Sequence, residues 1–312
     1  MKLRLSVLLL TVLCLLAVGA ATEMSPGAAP EEPVVVDGSS TVFRISKAAQ
    51  FGFRKKFGNQ VTVTVGNHGT GGGFGNYLQG EVDIVDASRD AKAEETSQAK
   101  AKGFEWTRYL VGYDGITVVV NSKNTFVKSL TTEQLKLLFA PNSTVKTWKD
   151  LNPSWPARPI ILYSPDQDSG TFEFFVEAIL KSKDKVQRKD VQVSPDDNAL
   201  VTGVSGDEDG LGYFGYAYYA ANQRRLRAIP IDNGKGPVMP DPKTILSKEY
   251  APLSRPLYIF VKNSAFKRPA VAQFVRYYLD SIVELAKAGG YVPPTDADRA
   301  ANNKALAAAG TK

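Results

Sequence analysis

The sequence predicts an α/β fold, because two apolar strands are each followed by a helix through a short turn rich in hydroxyl groups. The first strand covers residues 34–37 and leads through Gly38-Ser39-Ser40-Thr41 into an amphipathic helix over residues 42–57. The second covers residues 159–163 and leads through Ser169-Gly170-Thr171 into a buried helix over residues 172–180. The first N–H groups of a helix lack intrahelical partners and carry partial positive charge, so both turns can bind an anion. Taken alone, the second turn is explained more simply by helix capping at Ser169, because caps are far commoner than ligand sites.

Length and composition predict a packed globular protein of one large domain or two medium ones. The 312 residues are 43% apolar and 22% charged, which is typical of folded chains. The net charge of +6 is spread without a basic tract, and no nucleic-acid-binding motif is present in the sequence. With one histidine and one cysteine, we expect neither a transition-metal site nor a cofactor.

Residues 1–21 have the pattern of a secretory signal peptide. Lys2 and Arg4 precede an apolar stretch, and small residues allow cleavage near Ala20 or Ala21. Cys14 lies inside the apolar stretch without the small preceding residue that lipoprotein processing needs, so lipidation is not expected. We therefore expect a periplasmic protein, in which residues 22–33, rich in Pro, Ala and Glu, form a flexible tether before the fold.

A glycine-rich segment over residues 66–73 follows an alternating strand over residues 61–65. Glycine permits positive φ and close backbone approach, which predicts a third anion-facing turn with Thr70 as its hydroxyl, before a short helix over residues 74–80. A Walker phosphate loop is excluded because no Gly-Lys-Ser/Thr follows. His68 is expected as a turn or surface residue, since no Ser–His–Asp set can be assembled around it.

Two strands over residues 116–121 and 257–261 are predicted as crossovers between two lobes. Lobe 1 comprises residues 34–115 plus 257–312, and lobe 2 comprises residues 116–256. Asp114, just before the first crossover, either faces the cleft or forms a turn with Gly115. Arg89 closes the strand over residues 82–89, at the end where open α/β sheets bind ligands, although a surface charge is an alternative. Residues 269–288 are predicted as one amphipathic helix, and the tail from residue 296 as a loosely packed one.

Seven short motifs, taken in their order and spacing, resemble the phosphate-binding proteins of bacterial phosphate ABC transporters. They are Gly38-Ser39-Ser40-Thr41-Val42, Gly69-Thr70-Gly71-Gly72-Gly73-Phe74, Asp86-Ala87-Ser88-Arg89, Tyr113-Asp114-Gly115-Ile116, Asp168-Ser169-Gly170-Thr171-Phe172, Leu211-Gly212-Tyr213-Phe214-Gly215-Tyr216-Ala217 and Leu253-Ser254-Arg255-Pro256-Leu257. The resemblance implies a two-lobed, periplasmic binding protein-like α/β fold of type II with two crossover hinge strands. It further implies a monomer that binds inorganic phosphate and delivers it to a membrane permease, and that is not an enzyme.

The same resemblance implies which residues contact phosphate: Ser40, Thr41 and Val42 in the first turn, Thr70 in the glycine-rich segment, and Ser169, Gly170 and Thr171 in the second turn. Family members often have an aspartate where Arg89 stands and an arginine shortly before the serine matched by Ser169. This chain has neither. The resemblance therefore implies that Arg89 supplies the cation, across the cleft from the second turn, and that a carboxylate comes from elsewhere.

A carboxylate in the site would distinguish phosphate, which keeps a proton near neutral pH, from sulfate, which has none to donate. Sites that leave a buried polar group unpaired reject the wrong ligand strongly. Asp168, Asp114 and Asp197 are the candidates, in that order, because Asp168 adjoins Ser169. An acidic residue at this position also stabilises the helix dipole, which is the alternative for Asp168.

Three other functions remain open. The first is a receptor for another oxyanion, such as sulfate, molybdate or tungstate. The second is an enzyme, such as a phosphatase with Ser169 as nucleophile, although the sequence shows no activating His–Asp pair or metal cluster. The third is a signalling or adhesion protein that has kept the lobes and lost the ligand.

Overall fold

The structure, a computed structural model, describes residues 32–167, 169–182 and 186–309. The predicted signal peptide, residues 22–31 of the predicted tether, and Asp168 lie outside the described residues. The strands are β1 (Val34–Gly38), β2 (Val63–Val65), β3 (Ile84–Ala87), β4 (Trp106–Asn121), β5 (Leu130–Thr131), β6 (Ile161–Pro165), β7 (Gln192–Ser194), β8 (Gly210–Gly215), β9 (Leu226–Ala228), β10 (Ile231–Asp232), β11 (Pro237–Val238) and β12 (Ser254–Lys262).

Helices alternate with these strands along most of the chain, which confirms the predicted α/β class. They are α1 (Ser40–Phe57), α2 (Gly69–Gln79), α3 (Ala93–Ala101), α4 (Thr132–Phe139), α5 (Trp148–Leu151), α6 (Gly170–Phe175), α7 (Asp197–Gly206), α8 (Tyr216–Ala221), α9 (Pro242–Ser247), α10 (Pro269–Asp280), α11 (Ile282–Ala288) and α12 (Asp296–Ala309). A π-helical segment, Val176–Leu180, continues α6, and a short 3-10 helix, Asn263–Lys267, follows β12. No helix within the described residues is both long and apolar enough to span a membrane.

The strands form one large mixed sheet in the order β2-β1-β3-β12-β4-β8-β6-β7, with β9 also paired to β4. At one end β1 is parallel to β2 and β3, and at the other β6 is parallel to β7 and β8. Between them, β12 is antiparallel to β3 and β4, and β4 is antiparallel to β8. The two turns predicted to bind an anion follow the carboxyl ends of β1 and β6, where sheets of this kind place their ligands.

β4 is longer than predicted, because the segment before the first crossover is part of the same strand. The strand pairs with β12 through residues 106–115 and with β8 through residues 116–120. Asp114 therefore lies inside a strand, and its interpretation as a turn residue with Gly115 is wrong. Extended pairing on both sides of Asp114 leaves no room for a chain reversal there. The division of the fold into two lobes stays a prediction.

The other edge of β4, over its first half, is covered by the C-terminal part of the chain. Tyr113 exchanges two backbone hydrogen bonds with Val292 (2.8 and 2.9 Å). The side chain of Asn302 on α12 donates to the backbone oxygen of Leu110 (2.8 Å) and accepts its N–H (3.0 Å). Since Asn302, Leu306 and Ala309 are also buried, α12 is docked on the sheet and is not loosely packed as predicted.

Two large apolar clusters account for most of the core. One contains residues between 113 and 253, among them Trp148 and a stacked pair, Phe175 and Tyr213, whose ring centroids lie 3.8 Å apart. The other contains residues from 34–111 and 257–306, among them Phe53 and Phe274. Trp148 is buried and contacts Trp155.

Three further predictions about helices are corrected by the structure. The predicted helix over residues 269–288 is broken at Ser281 into α10 and α11. Helix α2 begins at Gly69 and not near Phe74, so most of the glycines lie inside its first turns. The aromatic composition of residues 216–222 predicts a helix packed in the core, but Tyr216, Tyr218 and Tyr219 of α8 are only half-buried. In each case tertiary packing fixes a helix boundary or face that local composition leaves open.

Candidate functional site

The turn between β1 and α1, called the α1 turn (residues 38–42), is held by its own cap. The hydroxyl oxygen of Ser39 accepts the N–H groups of Thr41 (3.2 Å) and Val42 (3.4 Å). The N–H of Ser39 donates to the backbone oxygen of Asp86 on β3 (2.8 Å). Strand β3 therefore fixes where α1 begins, and the hydroxyl groups of Ser40 and Thr41 lie on the first helical residues.

The turn between β6 and α6, called the α6 turn (residues 169–171), is built in the same way. The hydroxyl oxygen of Ser169 accepts the N–H of Thr171 (3.2 Å), so Ser169 is the helix cap that local sequence predicts. Ser169, Gly170 and Thr171 are all buried. A cap on the protein surface would be exposed, so this turn has been brought against another part of the protein.

That other part is the α1 turn. The hydroxyl of Thr41 donates to the backbone oxygen of Gly170 (3.3 Å), and the hydroxyl of Ser40 donates to Oε2 of Glu173 (2.8 Å). A Cβ atom added to Gly170 would lie 2.5 Å from Oγ1 and 2.6 Å from the backbone N of Thr41. The structure thus brings together six of the residues predicted to bind phosphate: Ser40, Thr41 and Val42 with Ser169, Gly170 and Thr171.

Arg255, at the start of β12, supplies the guanidinium group that contacts both turns. Its Nη2 donates to Oγ1 of Thr41 (2.7 Å) and to the backbone oxygen of Gly170 (3.3 Å). The guanidinium carbon lies 3.7 Å from the ring centroid of Phe174, a close cation–π contact. The side chain is 11% exposed, and its Nε has no hydrogen-bond partner among the described residues.

Asp114 lies behind Arg255 and is almost completely buried. Its Oδ2 is 3.5 Å from Nε of Arg255, and neither carboxylate oxygen has a hydrogen-bond partner among the described residues. Burial raises the pKa of Asp114, while the charge of Arg255 opposes that shift. Burial likewise lowers the pKa of Arg255, against the attraction of Asp114. Asp114 and Arg255 thus form a buried ion pair whose guanidinium contacts both turns.

Asp197, the third carboxylate candidate, lies at the first residue of α7. Its Oδ2 is 3.6 Å from Nη1 of Arg44, which projects from the second turn of α1. Burial raises the pKa of Asp197, and Arg44 opposes the shift. Each described candidate carboxylate is therefore next to an arginine that sequence reasoning did not select, whereas Asp168, the first candidate, lies outside the described residues.

Thr70 and Arg89 line a cavity of about 730 Å³ beside the two turns, together with Ser88, Glu173 and Arg255. The hydroxyls of Thr70 and Ser88 are 3.2 Å apart. Arg89, however, forms two hydrogen bonds to the carboxylate of Glu95 (2.8 and 2.9 Å), which lies on α3. Among the described residues, the cation that contacts the α6 turn is Arg255, and Arg89 is paired with Glu95 and not with that turn as expected.

The sequence signal for Arg255 was present but ambiguous. Ser254-Arg255-Pro256 was one of the motifs that carried the family resemblance, yet Arg255 is 214 residues from Thr41. Only the pairing of β12 with β4 brings Arg255 opposite Asp114.

His68, expected as a turn or surface residue, is exposed and bonded to Asp37 (2.8 Å) just before α2. The described residues contain no cluster of three or more His, Cys, Asp or Glu side chains that could hold a metal ion.

Asp86 is another buried carboxyl group, on the strand β3 whose backbone holds the α1 turn. Its Oδ1 accepts the hydroxyl of Ser46 (2.8 Å), and its Oδ2 has no hydrogen-bond partner among the described residues. Burial raises the pKa of Asp86 well above its ordinary value; the Ser46 bond counteracts this shift, and the nearby charge of Asp37 adds to it. The folded protein therefore keeps this proton at pH values where the unfolded chain has lost it.

We expect the wild type to become less stable as the pH rises, because buried Asp86 must ionise. Asp86→Asn should abolish this pH dependence. The contribution of a carboxyl group with a raised pKa is complete below its ordinary pKa of 3.8 and is lost as the pH rises toward the folded value. The neutral amide does not titrate, so the variant should gain stability relative to the wild type as the pH rises from 3.8 to the raised pKa of Asp86 in the folded protein. Urea unfolding across this range measures the difference. Parallel pH profiles for the two proteins would show that Asp86 is ionised in the fold.

Comparison with known proteins gives a consistent picture. A family model described as a PBP superfamily domain matches residues 23–281. Protein SphX of Synechococcus elongatus is 42% identical over 275 residues, which cover 87% of this chain and 80% of that protein. The phosphate-binding protein PstS of Staphylococcus saprophyticus is 38% identical over 264 residues, covering 84% of this chain and 80% of that protein.

Solved structures agree with these sequence relatives. The crystal structure of a possible phosphate binding protein from Planctomyces limnophilus has 40% identity and a TM-score of 0.85, covering 90% of this chain and 99% of that one. An ABC-type phosphate transport receptor from Vibrio cholerae has 22% identity and a TM-score of 0.65, covering 84% of this chain and all of that one, and it supports the fold alone.

Proposed function

Given that the chain belongs to the PBP superfamily, and within it to the family of phosphate-binding proteins, we propose that it binds inorganic phosphate and delivers it to a membrane ABC permease. Several relatives are named phosphate-binding proteins, and they match this chain over most of their length. We also propose that the protein is a secreted, periplasmic monomer and that it catalyses no reaction.

The observation that carries this proposal is the buried guanidinium of Arg255 between the two turns. A planar guanidinium offers paired N–H donors that match the oxygens of a tetrahedral anion. Its position over Phe174, with Asp114 behind it, fixes the orientation of these donors. The hydroxyl groups of Ser40, Thr41, Thr70 and Thr171 and the helix starts around them supply further donors.

Arg255 thus joins the predicted ligand residues, which are Ser40, Thr41, Val42, Thr70, Ser169, Gly170 and Thr171. We assign Arg89 an outer place at the cavity wall, since its guanidinium is already paired with Glu95. Asp114 and Asp197 act through the arginines beside them, by keeping Arg255 and Arg44 charged and oriented. In this proposal the positive charge of the site comes from Arg255 on β12, which is largely buried, and from Arg44 on α1, which is partly exposed.

The proposal includes two lobes, comprising residues 34–115 plus 257–312 and residues 116–256, which approach each other when phosphate binds. Strands β4 and β12 run between them as the hinge. A ligand drives such a closure only through its greater affinity for the closed state. Contacts from both the α1 turn and the α6 turn would provide that difference, because the turns belong to different lobes.

Isothermal titration calorimetry with phosphate and with sulfate at neutral pH tests the proposal. We expect phosphate to bind with a dissociation constant of about 1 μM or lower, and sulfate to bind at least about a hundredfold more weakly. Tighter binding of sulfate would favour a receptor for another oxyanion. Binding of neither anion, by a protein shown to be folded, would favour a protein that has lost its ligand.

A further inference from the structure

Glu173, on the first turn of α6, places a carboxylate against the groups that we propose bind phosphate. Its Oε2 accepts the hydroxyl of Ser40 at 2.8 Å. Glu173 also lines the cavity beside Arg255, and its negative charge acts on the Arg255 guanidinium. A Cβ added to Gly69, at the start of α2, would lie 4.0 Å from its Oε1. One carboxylate is thus within reach of the α1 turn, the glycine-rich segment and the buried arginine.

The remaining donors between the two turns are also used by the protein itself. Arg255 donates to Thr41 and to the backbone oxygen of Gly170, and Thr41 donates to the same backbone oxygen. The gap between the turns is too narrow for even one added methyl group at Gly170. An anion that bridged the turns would have to replace these contacts and the hydrogen bond from Ser40 to Glu173. Of these interactions, the Ser40–Glu173 bond has a negatively charged acceptor.

We propose that Glu173 is an internal anion that holds the two turns together and competes with phosphate for Ser40 and Arg255. The inference rests on the proposed function, since it concerns the same ligand groups. Phosphate then binds only to molecules in which Glu173 has left Ser40. When the competent state is a fraction of the population, the apparent affinity falls by that fraction. Glu173 therefore sets the affinity of the site for anions in general, without choosing among them.

Two substitutions test this role by calorimetry. Glu173→Gln removes the charge and keeps the shape, and Glu173→Ala removes the contact altogether. We expect both variants to bind phosphate about tenfold more tightly than the wild type, equivalent to about 1.4 kcal/mol, with a similar gain for sulfate. In a Ser40→Ala background the gain from Glu173→Gln should shrink, because the hydroxyl for which the carboxylate competes is gone.

Glu177→Gln is the matched control. Glu177 lines the same cavity and its charge also acts on Arg255, but Ser40 donates to Glu173. If Glu173 acts through its charge-assisted bond to Ser40, Glu173→Gln should raise the affinity several times more than Glu177→Gln, because a neutral amide oxygen accepts the Ser40 hydroxyl more weakly than a carboxylate does. Equal gains would overturn the inference, since general repulsion of the anion would then explain them.

Other outcomes are equally decisive. Weaker phosphate binding by Glu173→Gln, with sulfate binding retained, would overturn the inference and make Glu173 an acceptor for the phosphate proton. Unchanged affinity in both Glu173 variants would overturn it as well. If the wild type itself bound no phosphate, the proposed function would fail together with the inference, whereas the preceding outcomes leave that function intact.

Discussion

Arg255→Leu should lose at least about a hundredfold in phosphate affinity, because it removes the only guanidinium that contacts both turns within the described residues. Leucine keeps much of the apolar contact with Phe174, so the loss reports mainly on the charge and its donors. Calorimetry with phosphate measures the effect. Arg255→Lys should recover only part of the affinity, because an ammonium group cannot offer the paired donors of a guanidinium.

The same substitution should also lower the stability of the fold. Asp114 would be left buried without a counter-charge, and breaking a buried pair on one side costs about 3–5 kcal/mol. Adding Asp114→Asn to Arg255→Leu should restore much of that stability and none of the phosphate affinity. Thermal unfolding of the single and double variants separates the two effects.

Arg89→Leu is the matched comparison, since Arg89 lines the same cavity but is paired with Glu95. We expect it to reduce phosphate affinity less than about tenfold. If Arg89→Leu abolished binding and Arg255→Leu did not, the cation of the site would be Arg89, as the sequence first suggested.

Gly170→Ala should weaken phosphate binding by about a hundredfold, with a smaller effect on folding. The added methyl group would meet the backbone of Thr41 at 2.6–2.8 Å, a separation that real Cβ atoms do not tolerate. The backbone at the start of α1 cannot rotate away as a side chain would, so the two turns must move apart. Donors that need to reach one anion from both sides would then be misplaced.

Gly75→Ala provides the control for Gly170→Ala. Gly75 lies in α2, and a Cβ there meets no atom within 4 Å. Alanine favours the helix over glycine by about 1 kcal/mol, so this variant should be slightly stabilised and should bind phosphate normally. Normal affinity in Gly170→Ala would show that the bound form does not need the close approach of the two turns.

Much of the architecture could be predicted because its signals are local. A strand, a hydroxyl-rich turn and a helix follow one another within about 20 residues at Ser40, and the same order recurs at Ser169. The cap at Ser169 is likewise predicted from the sequence and present in the structure, and the spacing of Thr131 and Gln134 is that of the capping box they form. Such features depend only on residues that are close together in the sequence.

The charges of the candidate site could not be predicted in the same way. Arg255 meets Thr41 across 214 residues, and Ser40 meets Glu173 across 133. In the sequence, Glu173 is only an acidic residue in the first turn of a helix, and nothing indicates that Arg89 pairs with Glu95. Which charge neutralises which depends on the order of strands in the sheet, and local spacing does not determine that order.

The covered edge of β4 has a consequence for the behaviour of the protein in concentrated solution. An open strand edge with unpaired N–H and C=O groups invites another chain to add a strand, which leads to aggregation. Over residues 110–113 that edge is already occupied, by the backbone of Val292 and by the amide of Asn302. Asn302 thus covers part of an edge that would otherwise be open to another chain, and we expect its loss to appear first as lower solubility, with the ligand groups left in place.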